Sequence, residues 1–141
     1  MQRWRLLQYV SPQGRRESIA DWRKKLPIGR PRSDLDTFLA FMVKLKEWEY
    51  PYIDSLKSGP YKGLTELRWK SGRVPYRIFG YQTGASAYVM LIGCTHNEKR
   101  YDPPDAMDTA KRRRNEILKG EASTSEYKLI ADWGDAEQGI S

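Results

Sequence analysis

The chain has 141 residues, 30% of them charged, with a formal net charge of +7 and a single cysteine, Cys94. This length suits one domain with its own core, and one cysteine excludes an internal disulfide framework and fits a reducing compartment. No apolar run approaches a membrane span, and the opening MQRWRLLQYV is too short and too charged for a signal peptide, so a cytoplasmic location is expected.

The charge is unevenly spread. Residues 121–141 hold five acids (Glu121, Glu126, Asp132, Asp135, Glu137) and one base (Lys128), a net of −4, which leaves +11 for residues 1–120. So basic a body favours a polyanionic partner, nucleic acid above all. The organisation expected is a domain over 1–120 and an acidic C-terminal tail over 121–141. The tail is expected to lie back on the basic body or to be disordered, and the amphipathic run Tyr127 to Trp133 gives it the means to dock.

Arg3 to Val10 alternates loosely and stops at Ser11-Pro12, a first strand. Arg16 to Leu26 spaces Ile19, Trp22 and Leu26 three and four apart, an amphipathic helix ended by Pro27. Ser33 lies three before Asp36, a capping-box-like start. The helix it opens runs to about Glu49 with Leu35, Phe38, Leu39, Met42, Leu45 and Trp48 as its buried stripe. A connector rich in Pro, Gly and Tyr spans Tyr50 to Lys62.

Leu64 to Lys70 and Val74 to Tyr81 form a hairpin about Ser71-Gly72, glycine meeting the demand of the turn. Alternation places Leu67 and Trp69 with Val74, Tyr76 and Ile78 on an apolar face. Glu66, Arg68 and Lys70 share the other face with Arg73, Arg77, Phe79 and Tyr81. Ser86 to Thr95 is apolar on both faces, as in a central strand. Asp102-Pro103-Pro104-Asp105 opens the last helix, with Asp as cap and Pro in the first turn, and that helix ends near Lys119-Gly120. The order β-α-α-β-β-β-α describes an α+β domain, with helices against one side of an antiparallel sheet.

Four pieces of this pattern resemble the RelE/ParE toxin superfamily, in particular its RelE/HigB-like branch of bacterial and phage toxins. They are the connector Ile53 to Lys57 leading into Gly63-Leu-Thr-Glu-Leu-Arg68, the strand Tyr76-Arg77-Ile78-Phe79-Gly80-Tyr81, the apolar strand Tyr88 to Ile92, and the Pro104 helix with Ala110. Together they span roughly residues 3–119. The resemblance implies a RelE-like fold with two N-terminal helices packed on one side of the sheet and a C-terminal helix. It further implies a type II toxin–antitoxin toxin that cleaves mRNA on the ribosome without a metal or small-molecule cofactor. The 2′-hydroxyl attacks the neighbouring phosphate, and translation is inhibited. A cognate antitoxin is the implied partner, with mRNA and the ribosome. Members commonly carry a Phe and a lysine pair after the last strand. Here the segment reads Cys94 to Asp102, with Lys99-Arg100 in place of the pair. Two alternatives stay open: a ParE-like toxin that binds and inhibits DNA gyrase, and a non-catalytic nucleic-acid-binding relative.

Transesterification needs a proton acceptor, a proton donor and positive charge at the phosphorane. Arg68 and Arg77, on the polar face of adjacent strands, are the expected phosphate-holding pair, with a salt bridge to Glu66 or to helix carboxylates as their structural alternative. His96, the only histidine, titrates near neutrality. Lys99 is a candidate phosphate ligand, and Tyr101 a proton donor or a stacking platform. Arg73, Lys70, Arg100, Lys111 and Arg112 are expected to contact RNA. The block Lys111 to Arg114 wraps its helix, so it cannot all face one ligand. No cluster of His, Cys and acids has metal spacing.

Overall fold

In the structure, a computed structural model, residues 2–57 and 59–129 are described. In chain order the elements are β1 (Arg5–Val10), α1 (Ser18–Lys25), α2 (Arg30–Met42), β2 (Ile53–Ser55), a short 3-10 turn (Gly59–Tyr61), β3 (Thr65–Ser71), β4 (Val74–Thr83), β5 (Ala87–Asn97), β6 (Arg100–Asp102), α3 (Ala106–Leu118) and β7 (Ser123–Glu126). The seven strands form one sheet in the order β2-β3-β4-β5-β1-β7, with β6 paired to the far end of β5. The domain is α+β with three helices, as expected from sequence. The sheet is mostly antiparallel, β1 and β5 being its parallel pair.

The helices do not share one side. Ile19, Leu35, Leu39 and Met42 of α1 and α2 pack on Leu67, Ile78, Tyr88 and Met90. Ala106 and Ala110 of α3 pack on the opposite face, against Phe79, Val89, Leu91 and Cys94. An apolar β5 with two buried faces requires this cover, because each face must leave water. Gly93 marks the closest approach on the α1 side. A Cβ there would lie 2.3 Å from the Trp22 ring.

Local chemistry moves the helix ends. The second helix begins at Arg30, not Ser33, since Gly29 adopts φ 106 and Pro31 suits the first turn. It ends at Met42, so Trp48 lies beyond it, stacked on Trp4 at 4.4 Å while its Nε1 donates to the Met42 carbonyl at 2.8 Å. Helix α1 has no cap from its own chain end; Gln8 of β1 supplies one. Its buried Oε1 accepts from the amides of Ile19 and Ala20 at 3.1 and 2.9 Å. Helix α3 starts after Asp105, because Asp102 is taken into β6. At its end Glu121 and Gly120 donate their amides to the carbonyls of Glu116 and Ile117, the paired bonds of a Schellman motif.

That motif turns the chain into β7, which pairs with β1. Residues 123–129 therefore continue the body. The Tyr127 amide donates to the Leu6 carbonyl at 2.9 Å, and the side chains of Tyr127 and Leu129 enter the core beneath α1 and α2. The remainder of the tail, with Trp133, lies outside the described residues.

Candidate functional site

The hairpin register is the one the alternation demands. Arg68 stands directly across from Arg77, Leu67 across from Ile78, and Trp69 across from Tyr76. The two loop residues are Gly72 and Arg73, with a positive φ at Gly72 alone, the pattern of a type II′ turn. Phe79, which shares a face with Arg77, sits under α3. The two arginines thus occupy the α3 side of the sheet, beyond the helix's apolar footprint.

His96 reaches the same side through an irregularity in β5. Register shifts between Phe79 and Gly80, which pair with Ile92 and Met90 and leave Leu91 without a partner in β4. One extra residue reverses the alternation beyond it. Before the bulge, Tyr88 and Met90 face α1 and α2. After it, Ile92 and Cys94 face α3, and His96 follows them. The Arg77 Nη2 lies 3.5 Å from His96 Nδ1. A guanidinium only donates, so Nδ1 is the acceptor and Nε2 carries the proton of the neutral ring. Tyr101, across from His96 in β6, stacks on the imidazole at 4.5 Å between centroids and meets Phe79 edge-on.

Glu66 organises the cluster. It is 4% exposed. Its Oε1 accepts from Arg68 Nε and Nη2 at 2.9 and 2.6 Å, and its Oε2 accepts the Tyr101 hydroxyl at 3.1 Å. Arg68 Nη2 also donates to Asp54 of β2 at 3.0 Å. Arg77 is held less completely. Its Nη1 donates to the Tyr76 carbonyl at 2.9 Å, but its buried Nε has no bond partner, and Glu66 Oε2 is 3.8 Å away.

The electrostatics follow from these contacts. Burial disfavours the Arg68 charge, yet its bonds to Glu66 and the nearness of Asp54 outweigh that and raise its pKa. Burial, with the charge of Arg77 beside it, lowers the His96 pKa below its ordinary 6.5, so the ring is neutral at pH 7. Burial and the Glu66 carboxylate push Tyr101 up to about 12, and the same two causes push Cys94 to about 12. Cys94 is a protonated, buried thiol, without the thiolate character of a nucleophile.

The structure therefore brings Arg68, Arg77, His96 and Tyr101 together and adds Glu66 as their common partner. Lys70 shares their face by alternation but is exposed. Lys99 sits in the exposed turn between β5 and β6, beside Glu98, which adopts φ 55. Arg73 is in the hairpin turn. Arg100 alternates to the opposite face from Tyr101. Lys111 and Arg112 lie on α3. Among the described residues no group of His, Cys, Asp and Glu could hold a metal ion, and no helix is long and apolar enough to cross a membrane. The salt bridge to Glu66 expected as the structural alternative for the two arginines is present; what the sequence did not reveal is that Glu66 also holds Tyr101. No family model, curated protein or solved structure matches this chain.

Proposed function

We propose that the chain is an RNA-cleaving toxin of the RelE-like kind, acting on mRNA at the ribosome and restrained by a cognate antitoxin. Arg77 carries the reading. It is a largely buried guanidinium with an unpartnered Nε, within reach of the only histidine of the chain. The GLTELR and YRIFGY strands that resemble that family are the strands that present this group, and the α+β architecture is compatible with the family's fold.

In this mechanism a bridging phosphate engages Arg77, which turns from His96 and frees Nδ1. The neutral imidazole accepts the 2′-hydroxyl proton as the 2′-oxygen bonds to phosphorus. The P–O5′ bond breaks, leaving a 2′,3′-cyclic phosphate and a 5′-hydroxyl end. Arg77 stabilises the charge that develops on the phosphorane. Glu66 holds Arg68 and Tyr101 in place, and Tyr101, protonated well above neutrality, is the remaining donor in the cluster. Mapping mRNA ends after induced expression tests the reading. Cuts within translated frames, bearing 5′-hydroxyl ends, support it, whereas intact mRNA from a folded, expressed protein rejects it.

The pH dependence carries a sign. A base with a lowered pKa remains neutral into mildly acidic solution, so the acid limb of kcat/KM should fall below the ordinary 6.5 of histidine. An acid limb above 6.5 would remove His96 from the role of base.

A second reading draws on charge balance. Glu66 and Asp54 already offset Arg68 and Arg77. A cluster so neutralised also suits a relative that binds a partner, gyrase included, without catalysis. Inhibition of purified gyrase without RNA cuts identifies that case.

A further inference from the structure

Arg112 and Arg113 of α3 converge with Arg15 and Arg16, which follow β1, around a cleft of about 560 Å3. Tyr9 and Ser11 are also in its wall, and no carboxylate among the described residues lines it. This cleft lies on the α3 side of the sheet but on the other flank of the helix from the Arg77 cluster. Tyr9 of β1 meets Arg113 and Glu116, whereas Asp108 and Arg114 reach Tyr61 and Lys62 on the side of β3 and β4.

The cleft is built around one fixed cation. The Arg113 Nη1 donates at 2.7 Å to the carbonyl of Leu91, the residue left unpaired by the β5 bulge, and its guanidinium lies 4.9 Å over the Tyr9 ring. Burial lowers its pKa, as do the charges of Arg112 and Arg16, while Tyr9 and Glu116 oppose the shift. Like charges are thus held close enough to repel. The other three guanidinium groups, those of Arg15, Arg16 and Arg112, are exposed and have no hydrogen-bond or ion-pair partner among the described residues. Glu116, the carboxylate on this flank, is occupied by the Tyr9 hydroxyl at 2.7 Å. Glu17, near the adjoining groove, is bonded by Gln8 and Ser125.

The contrast with the Arg77 cluster decides the chemistry. There, two arginines meet two carboxylates. Here, four arginines meet none at the wall among the described residues. We infer that this cleft is a docking site for the phosphate backbone of single-stranded RNA, separate from the Arg77–His96 cluster. Guanidinium forks match phosphate oxygens, and the Tyr9–Arg113 pair presents a flat surface beside them. The site stands whether or not the chain cleaves RNA.

The test is binding of a short single-stranded RNA by the full chain over a salt series. The triple substitution Arg15→Gln, Arg16→Gln and Arg112→Gln removes exposed, unpartnered charges and spares Arg113, so the fold survives. Binding should weaken, and the slope of log K against log salt should flatten by about 2, at roughly 0.7 for each phosphate no longer neutralised. The triple substitution Lys44→Gln, Lys46→Gln and Lys57→Gln, which removes three exposed charges elsewhere, should leave most of the slope in place. An unchanged slope in the arginine variant, or an equal flattening in the lysine variant, overturns the site. Inorganic tripolyphosphate supplies the other arm. If it binds through these arginines and RNA cannot displace it, the ligand is a small phosphorylated compound and the RNA assignment falls.

Discussion

On the proposed RNA-cleaving function, Arg77→Ala will slow cleavage by roughly 10²–10³-fold, the effect typical when one preorganised donor to a developing oxyanion is removed. The fold should tolerate the change, because Glu66 keeps its two bonds from Arg68 and one from Tyr101. The same variant has a readout that needs no RNA. Arg77 lowers the His96 pKa, so its removal should raise that pKa, and a single histidine gives an unambiguous NMR titration. Arg77→Lys should recover much of the lower His96 pKa but little of the cleavage, since an ammonium lacks the fork that grips phosphate. Wild-type cleavage in Arg77→Ala would end the catalytic role proposed for this residue. An unmoved His96 titration would show that the two side chains do not meet.

Glu66→Gln will destabilise the chain by about 3–5 kcal/mol, the usual result of removing one member of a buried ion pair. The side chain keeps its size, so no cavity forms. What changes is the hydrogen-bond balance. Glu66 accepts three bonds and donates none, whereas an amide turns one of its ends into a donor facing Arg68 or Tyr101. The urea midpoint should fall with an unchanged m-value, the mark of lower stability without a change in the surface exposed. The Tyr101 pKa should drop as well, because the Glu66 charge and the bond to it both help to raise that pKa. A stability within about 0.5 kcal/mol of wild type, the range of ordinary surface substitutions, would show that Glu66 does not organise the cluster.

Both predictions rest on a hairpin that was legible from its residues. Leu67, Trp69, Tyr76 and Ile78 alternate with Glu66, Arg68 and Arg77, and one face must be buried. A slip of one residue would turn every charge into the core, so the facing of Arg68 and Arg77 followed from pattern alone. The stripe of α2 was legible for the same reason, although its start was misplaced. Ser33 looks like a cap, but Gly29 and Pro31 impose the turn three residues earlier. The docking of the tail was legible in part: the amphipathic run from Tyr127 was expected to lie back on the body, and its described residues do so. Tyr127 and Leu129, two apolar side chains within a polar segment, suffice to draw residues 123–129 onto the sheet and into the core.

The sequence by itself determined the class of fold, the two-sided character of the hairpin and the basic surface, since each depends on local periodicity or on summed charge. The tertiary structure decided which side His96 occupies. Tyr88 to Cys94 is apolar on both faces, so it carries no record of parity, and one unpaired residue, Leu91, reverses the facing of everything after it. That bulge brings His96 to Arg77 and gives Arg113 the carbonyl that anchors it. The placement of α3 was decided in the same way. A strand apolar on both faces must be covered twice, but only packing assigns a helix to each face and sets the Arg77 cluster on one flank of α3 and the Arg113 cleft on the other.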